Sequence, residues 1–354
     1  MEFIAEYGLF LAKSITVLVA IVLVVSLILS MGHKNKSTDK GHLEVTRLND
    51  KFDATQEALK DAVMDHEARK QEVKQLHKQE KAEAKARKTA AKKVTPEAQA
   101  ETKPRVYVLN FEGDIKASAV ENLREEISAV LSLASANDEV VVRLESGGGM
   151  VHSYGLASSQ LDRIKKKGIP LTVCVDKVAA SGGYMMACVA DKILAAPFAI
   201  MGSIGVVAQL PNFHRLLKKN HVDVELLTAG EHKRTLTMFG ENTDKDREKF
   251  VEDLEDTHEL FKCFVSEHRP VIDIHAVANG DVWYGRQALD NQLVDGLMTS
   301  DEYIHERATT ADVFEVVYVF KKSIQEKLGM AGQGAVDRLL LTWISRLQNA
   351  RFFS

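Results

Sequence analysis

The sequence is poor in cysteine, proline and aromatic residues. Cys174, Cys188 and Cys263 are the only thiols in 354 residues. An odd count with no CxxC pair shows neither a disulfide framework nor a thiolate metal site. Their apolar neighbours lead us to expect all three in the core. Aromatics make up 6% of the chain and the net charge is −4, which gives no reason to expect nucleic acid. The glycine run at 147–149 lacks the Gly-Lys-Ser/Thr ending of a phosphate-binding loop. Between Gly41 and Gly113 there is no glycine at all, and Pro96 and Pro104 are the only prolines there.

What fills that stretch is Lys, Glu, Ala and Gln, all good helix formers. From Asp65 to Lys93 ten Lys/Arg face five Asp/Glu. Leu48, Phe52, Leu59 and Val63 give a weak apolar stripe that fades beyond Lys74. We read 32–104 as a charged helical stalk, with anionic lipid as the sharper alternative partner. Before it, residues 14–31 are 18 uncharged residues, enough to cross a hydrocarbon core. No basic region and no A-x-A site accompany them, so an uncleaved anchor fits better than a signal peptide. Residues 1–13 are a short lead. Lys34, Lys36 and Lys40 follow the span while Lys13 precedes it beside Glu2 and Glu6, a bias that places the body in the cytoplasm.

At Arg105 the texture changes. Strands are expected at 105–113, 139–146 and 170–176, with helices at 119–134 and 152–166 between them. This alternation predicts an α/β fold with neighbouring strands parallel. Further on we expect a strand at 192–196, a helix at 212–220, a strand at 222–230 and a long helix over 243–268. A helix over 285–297 and a last strand at 312–320 complete the domain. Residues 193–210 are another 18 uncharged residues, but Pro197, Gly202 and Gly205 interrupt them, so they read as buried core rather than a second span. The tail, 335–354, is amphipathic and suits a subunit or membrane contact.

Three glycine-flanked turns follow strands: "ESGGGM" (145–150), "ASGGYM" (180–185) and "TAGEHKRTL" (228–236). In α/β folds sites gather where strands end and helices begin. Ser181 is either a helix N-cap or a nucleophile. The glycines at 147–149 let backbone approach a substrate, as a tight turn or as an oxyanion hole. No histidine stands in a recognisable triad setting. Lys233 is the better base, but it works only when neutral, so an ordinary pKa of about 10.4 has to fall to near 7 in a dry site.

Taken together, "LESGGG", "KVAASGGYMMACVADKI", "MGSIGV", "TAGEHKRTL" and "VWYGRQALDNQLVDGL" resemble the signal peptide peptidase A family of serine–lysine proteases and, within it, the membrane-anchored SohB branch. The resemblance covers about 105–300. It implies an α/β domain of the ClpP/crotonase-like type, a spiral of β-β-α units, here over 105–305. The anchor and charged segment precede it, and 306–354 follow as a strand and helix for oligomer contact. It implies Ser181 as nucleophile, Lys233 as general base and Ser203 as the residue holding the lysine amine. Gly182 with Gly149 or Gly148 would supply the oxyanion donors. Where the family reads S-P-G-G, this chain has Ser146-Gly147-Gly148-Gly149, which leaves open which glycine N–H faces the oxyanion. The implied partners are peptide or protein substrates, the membrane and further copies of the chain in a ring or dome, with no metal or cofactor. The family's topology implies a periplasmic catalytic domain at the bacterial inner membrane, against the lysine bias. Competing readings are an acyl-CoA enzyme of crotonase type and an inactive membrane-tethered scaffold.

Overall fold

The computed structural model describes residues 41–320, except 68, 76, 77, 79, 80, 83–102 and 231, together with 13, 15 and 16. The anchor expected at 14–31 and the tail helix at 335–354 lie outside the described residues, apart from 15 and 16. No helix among the described residues is long and apolar enough to cross a membrane. Residues Leu43–Tyr318 form one compact unit.

In chain order the elements are β1 (His42–Arg47), α1 (Leu48–Val63), β2 (Arg105–Gly113), α2 (Val120–Leu133), β3 (Glu139–Ser146), α3 (Val151–Lys166), β4 (Leu171–Val175), β5 (Val178–Ala180) and α4 (Gly182–Ala187). They continue with β6 (Lys192–Ala195), β7 (Ile200–Gly202), α5 (His214–Lys219), α6 (Asp244–His268), α7 (Ile274–Val277), β8 (Val282–Tyr284) and α8 (Gly285–Asp290). Last come β9 (Gly296–Leu297), α9 (Ser300–Thr310) and β10 (Asp312–Val319).

The strands join one ten-stranded sheet in the order β1-β10-β2-β3-β4-β6-β9. β2, β3 and β4 are runs of apolar, mostly β-branched residues because both of their faces are covered. On one face Leu109, Phe111, Val142 and Leu144 pack against Leu123 and Ile127 of α2 and Leu161 and Ile164 of α3. On the other, Val106, Val108, Val141 and Cys174 meet Leu48, Tyr303 and Ile304. A staple closes the start of β2. Burial opposes ionisation of Asp138, but the Arg105 guanidinium and the N–H groups of Ser135 and Arg105 outweigh it and hold the carboxyl at about 2.

The sheet forks at β3, and the fork positions the site. Beyond its pairing with β4, the last residue of β3 pairs with β5, Ser146 beside Ala179. β5 pairs in turn with β7, Ala180 beside Gly202. These pairings are parallel as expected, whereas β7 and β8 run antiparallel.

Several expectations are corrected. Residues 42–63, read as part of a stalk, build an edge strand and a helix whose Leu48 is buried. No strand forms over 222–230; that stretch is exposed and unpaired. The helix expected over 285–297 stops at Asp290, and Gly296–Leu297 instead pairs with β6. Cys174 and Cys188 are buried but Cys263 is exposed, because it falls on the outward side of α6 between inward-facing Phe261 and Val265. Residues 193–204 are largely core, as read, but 207–210 are exposed. The long helix holds its expected place, α6 starting at a reciprocal cap in which Asp246 N–H donates to Thr243 Oγ1 at 3.3 Å and Thr243 N–H to Asp246 Oδ2 at 2.9 Å.

Candidate functional site

Ser181 occupies the single residue between β5 and α4, with φ 53° and ψ −119°. A non-glycine residue at positive φ is strained and persists only where its surroundings impose it. Here they do: Ser181 N–H donates to Gly202 O at 2.8 Å, and Ser181 O accepts from Met185 N–H at 2.9 Å. The side chain caps no helix N–H, so the N-cap alternative is not realised. The serine is half-buried at the mouth of the site.

The two glycine turns meet at this serine. Gly148 has φ +87°, and a Cβ there would stand 2.7 Å from Gly182 N and 2.8 Å from Ser181 Cβ. Only glycine allows that approach. The N–H of Gly148 is already committed, donating to Ser146 Oγ at 3.1 Å. Among the described residues, the N–H groups of Gly149 and Gly182 make no hydrogen bond. Gly182 opens α4, where N–H groups are unpaired by the geometry of a helix start.

Ser203 follows β7 as Ser181 follows β5, and like it has positive φ (52°). Its N–H donates to Asp281 O at 2.7 Å. The register therefore places the two serines after neighbouring strands. Lys233 lies elsewhere in the chain, exposed on the segment between α5 and α6, where its N–H donates to Gly230 O at 3.2 Å. It makes no hydrogen bond to Ser181 or Ser203 among the described residues. The structure thus gathers Ser181, Ser203, Gly148, Gly149 and Gly182, and among the described residues no hydrogen bond joins Lys233 to them.

A cavity of about 70 Å³ opens beside Ser181, lined among others by Met185, Gly205, Val207, Thr257 and Phe261. It has room for about two waters' worth of volume, hence for a small aliphatic side chain. Met185 lines it, and Met201, one residue before the positive-φ Gly202, is fully buried. Thr257 and Phe261 come from α6, which the sequence marked as a long helix without pointing to a cavity. His258, on the same helix, has Nε2 3.2 Å from Ile204 O, on the segment that follows β7. Burial pushes the Cys174 and Cys188 thiols up to about 12, so neither competes with Ser181 as a nucleophile.

A serine forced outward at a strand–helix corner, free main-chain donors on both sides and an apolar cavity are the parts of a serine hydrolase. Comparison with known proteins narrows that class. Residues 2–161 match the Peptidase family S49 N-terminal region and residues 163–314 match Peptidase family S49. The chain belongs to peptidase family S49, a family of serine proteases. It is similar to the probable protease SohB of Haemophilus influenzae, 53% identical over 337 residues that cover 95% of each chain. It is also similar to the putative protease SohB of Buchnera aphidicola, 43% identical with 98% of this chain and 99% of the other covered. Among solved structures, the 1510-N membrane-bound stomatin-specific protease with a substrate peptide aligns with a TM-score of 0.38 at 14% identity, over 64% of this chain and 96% of its own.

Proposed function

We propose that this protein is a membrane-anchored serine endopeptidase that hydrolyses peptide bonds with a Ser181–Lys233 dyad. The observation that carries the reading is the convergence of a strained, outward Ser181 with the unpaired N–H groups of Gly149 and Gly182. Ser181 Oγ attacks the scissile carbonyl, and neutral Lys233 takes its proton and passes it to the leaving amine. The two N–H groups hold the tetrahedral oxyanion, while Gly148, its own N–H engaged, shapes the turn. Water then releases the acyl-enzyme, with a proton transferred through the same amine. Ser203 orients that amine. The forked sheet supports a ClpP/crotonase-like spiral of β-β-α units.

The small cavity favours substrates with a small apolar side chain before the cleaved bond, such as signal-peptide remnants or other membrane-derived peptides. Lys233 needs a dry setting to lose its proton, and the single chain leaves it exposed. Leu227, within that segment, and Val207, before α5, are both 89% exposed. A second copy packed over them would cover the lysine, in keeping with a ring or dome of subunits. Residues 14–31 anchor the chain in the bacterial inner membrane with the catalytic domain in the periplasm, which protease accessibility in spheroplasts would test.

A fluorophosphonate probe tests the mechanism. Labelling of the wild type, its loss in Ser181→Ala and its weakening in Lys233→Ala are expected. Labelling that survives Ser181→Ala rejects the assignment, and an unlabelled, inert wild type favours an inactive scaffold.

A further inference from the structure

The turn over 146–149 is packed on its outer residues and open in its middle. An added Cβ at Gly148 or Gly149 would overlap the backbone of Gly182 or Ile115, whereas one at Gly147 would meet nothing within 4 Å, and Gly148 sits at φ +87°, where no side chain steadies it. A buried relay adds a directional restraint. Gly148 N–H donates to Ser146 Oγ at 3.1 Å, Ser146 Oγ lies 2.5 Å from Tyr154 OH, and Tyr154 OH lies 2.7 Å from Asp114 O. A carbonyl can only accept, so the tyrosine proton points to Asp114 and the Ser146 hydroxyl donates to the tyrosine oxygen. Ser146 is 2% exposed and Tyr154 is fully buried. In such a place a broken link leaves an unsatisfied polar group, so the chain of bonds holds or fails as a unit.

The same tyrosine supports the other turn. Its ring lies against Gly182, where an added Cβ would overlap ring atoms, and it meets Phe111 edge-on at 6.4 Å between centroids. One side chain therefore touches both turns that carry the free donors: by its hydroxyl the 146–149 turn, by its ring the start of α4.

Resting on the serine-peptidase reading above, we propose that Tyr154 is a positioning residue for the hydrolysis. Its hydroxyl, through Ser146, sets the aim of the Gly149 N–H, and its ring sets the stand of the Gly182 N–H, so that both meet one oxyanion. It touches no substrate. The hydroxyl's contribution is confined to the tetrahedral state, because the ground-state cavity is lined by other residues.

The test uses the full chain and three variants, Tyr154→Phe, Ser146→Ala and the double substitution, with Ser181→Ala as control. Turnover of a fluorogenic peptide with alanine before the cleaved bond is read alongside two inhibitors of identical sequence. One is a peptide aldehyde, which forms an oxyanion adduct with serine; the other is the corresponding alcohol, which forms none. In Tyr154→Phe we expect kcat to fall at least about tenfold, less than the loss of a whole oxyanion donor. Aldehyde affinity should weaken by a similar factor, while KM and alcohol affinity stay within about twofold, as for an interaction made only in the transition state. Ser146→Ala should do the same, and the double variant should be no worse than either single by more than about twofold, because the two act as one link. The proposal is overturned if folded Tyr154→Phe and Ser146→Ala keep kcat and aldehyde affinity, or if aldehyde and alcohol weaken equally. Should Tyr154→Phe not fold, Ser146→Ala decides alone, since it leaves the Tyr154–Asp114 bond in place. Undiminished turnover in Ser181→Ala would remove Ser181 as the nucleophile and with it the Ser181-based reading, a separate result from any outcome at Tyr154.

Discussion

The N–H of Ser181 donates to the carbonyl of Gly202 at 2.8 Å, so the strained serine is braced by a neighbouring strand that itself ends on a left-handed glycine. Gly202 has φ +87°, and a Cβ there would stand 2.7 Å from Trp283 Cδ1. The brace is consequently as intolerant of a side chain as the serine's own turn.

Gly202→Ala is expected to destabilise the fold by about 1–3 kcal/mol, the usual cost of imposing an unsuitable backbone conformation. It should also slow fluorophosphonate labelling of Ser181 by more than its loss of stability explains. Urea unfolding and labelling rates on the same preparation check this. An unaltered labelling rate would mean that β7 does not set the serine's position.

The cavity beside Ser181 predicts a selectivity switch. Met185→Ala widens it and should shift preference from alanine toward leucine before the cleaved bond, with a stability cost of about 2–5 kcal/mol for emptying a buried methionine site. Thr257→Leu narrows it and should lower kcat/KM for alanine more than for glycine. Paired peptide substrates differing at that one position give the readout. Equal changes for both members of a pair would place the specificity pocket elsewhere.

Glu126 makes stability depend on pH. Burial pushes its carboxyl up to about 7, against the pull of the Tyr318 N–H, and Oε2 has no hydrogen-bond partner among the described residues. The folded chain therefore holds this proton more tightly than the unfolded chain, whose carboxyl titrates near 4.3. Its stabilising effect is complete below about pH 4 and is lost as pH rises through 7. Glu126→Gln should be more stable than the wild type at pH 8, by on the order of 2 kcal/mol, and about equal to it at pH 4. Urea unfolding at the two pH values decides; a gain of the same size at both would exclude titration as the cause.

Leu227→Asp tests the proposed assembly. At an isolated exposed site it would change stability by less than about 0.5 kcal/mol. If a second copy covers this segment, it should instead lower the oligomer size in light scattering and reduce turnover together. An unchanged oligomer that still turns over substrate would leave Lys233 to find its dry setting within one chain.

Much of the domain was legible because its central strands are buried on both faces. β2 and β3 read directly as apolar runs, and Phe250, Leu254, Phe261 and Val265 at helical spacing marked α6. What failed did so for physical reasons. "VDVELL" has the texture of a strand, but a strand exists only with a neighbour to pair with, and this chain supplies none there. β5, β7 and β8 are three residues each, too short to leave a period. Ser181 and the glycines at 147–149 stood out because they flank turns that follow strands, whereas Ser203 was named only through the family resemblance. Tyr154 did not stand out, since a buried tyrosine on an amphipathic helix looks like any core residue until its hydroxyl is seen to reach Ser146.

The open space around Gly147 has a practical use. It is the one place in that turn where chemistry can be added without disturbing its neighbours, and it faces solvent. A thiol introduced by Gly147→Cys could carry a dye or a photo-crosslinker two residues from Gly149. Such a handle would let substrates be caught, or their arrival timed, while the hydrolytic machinery stays intact.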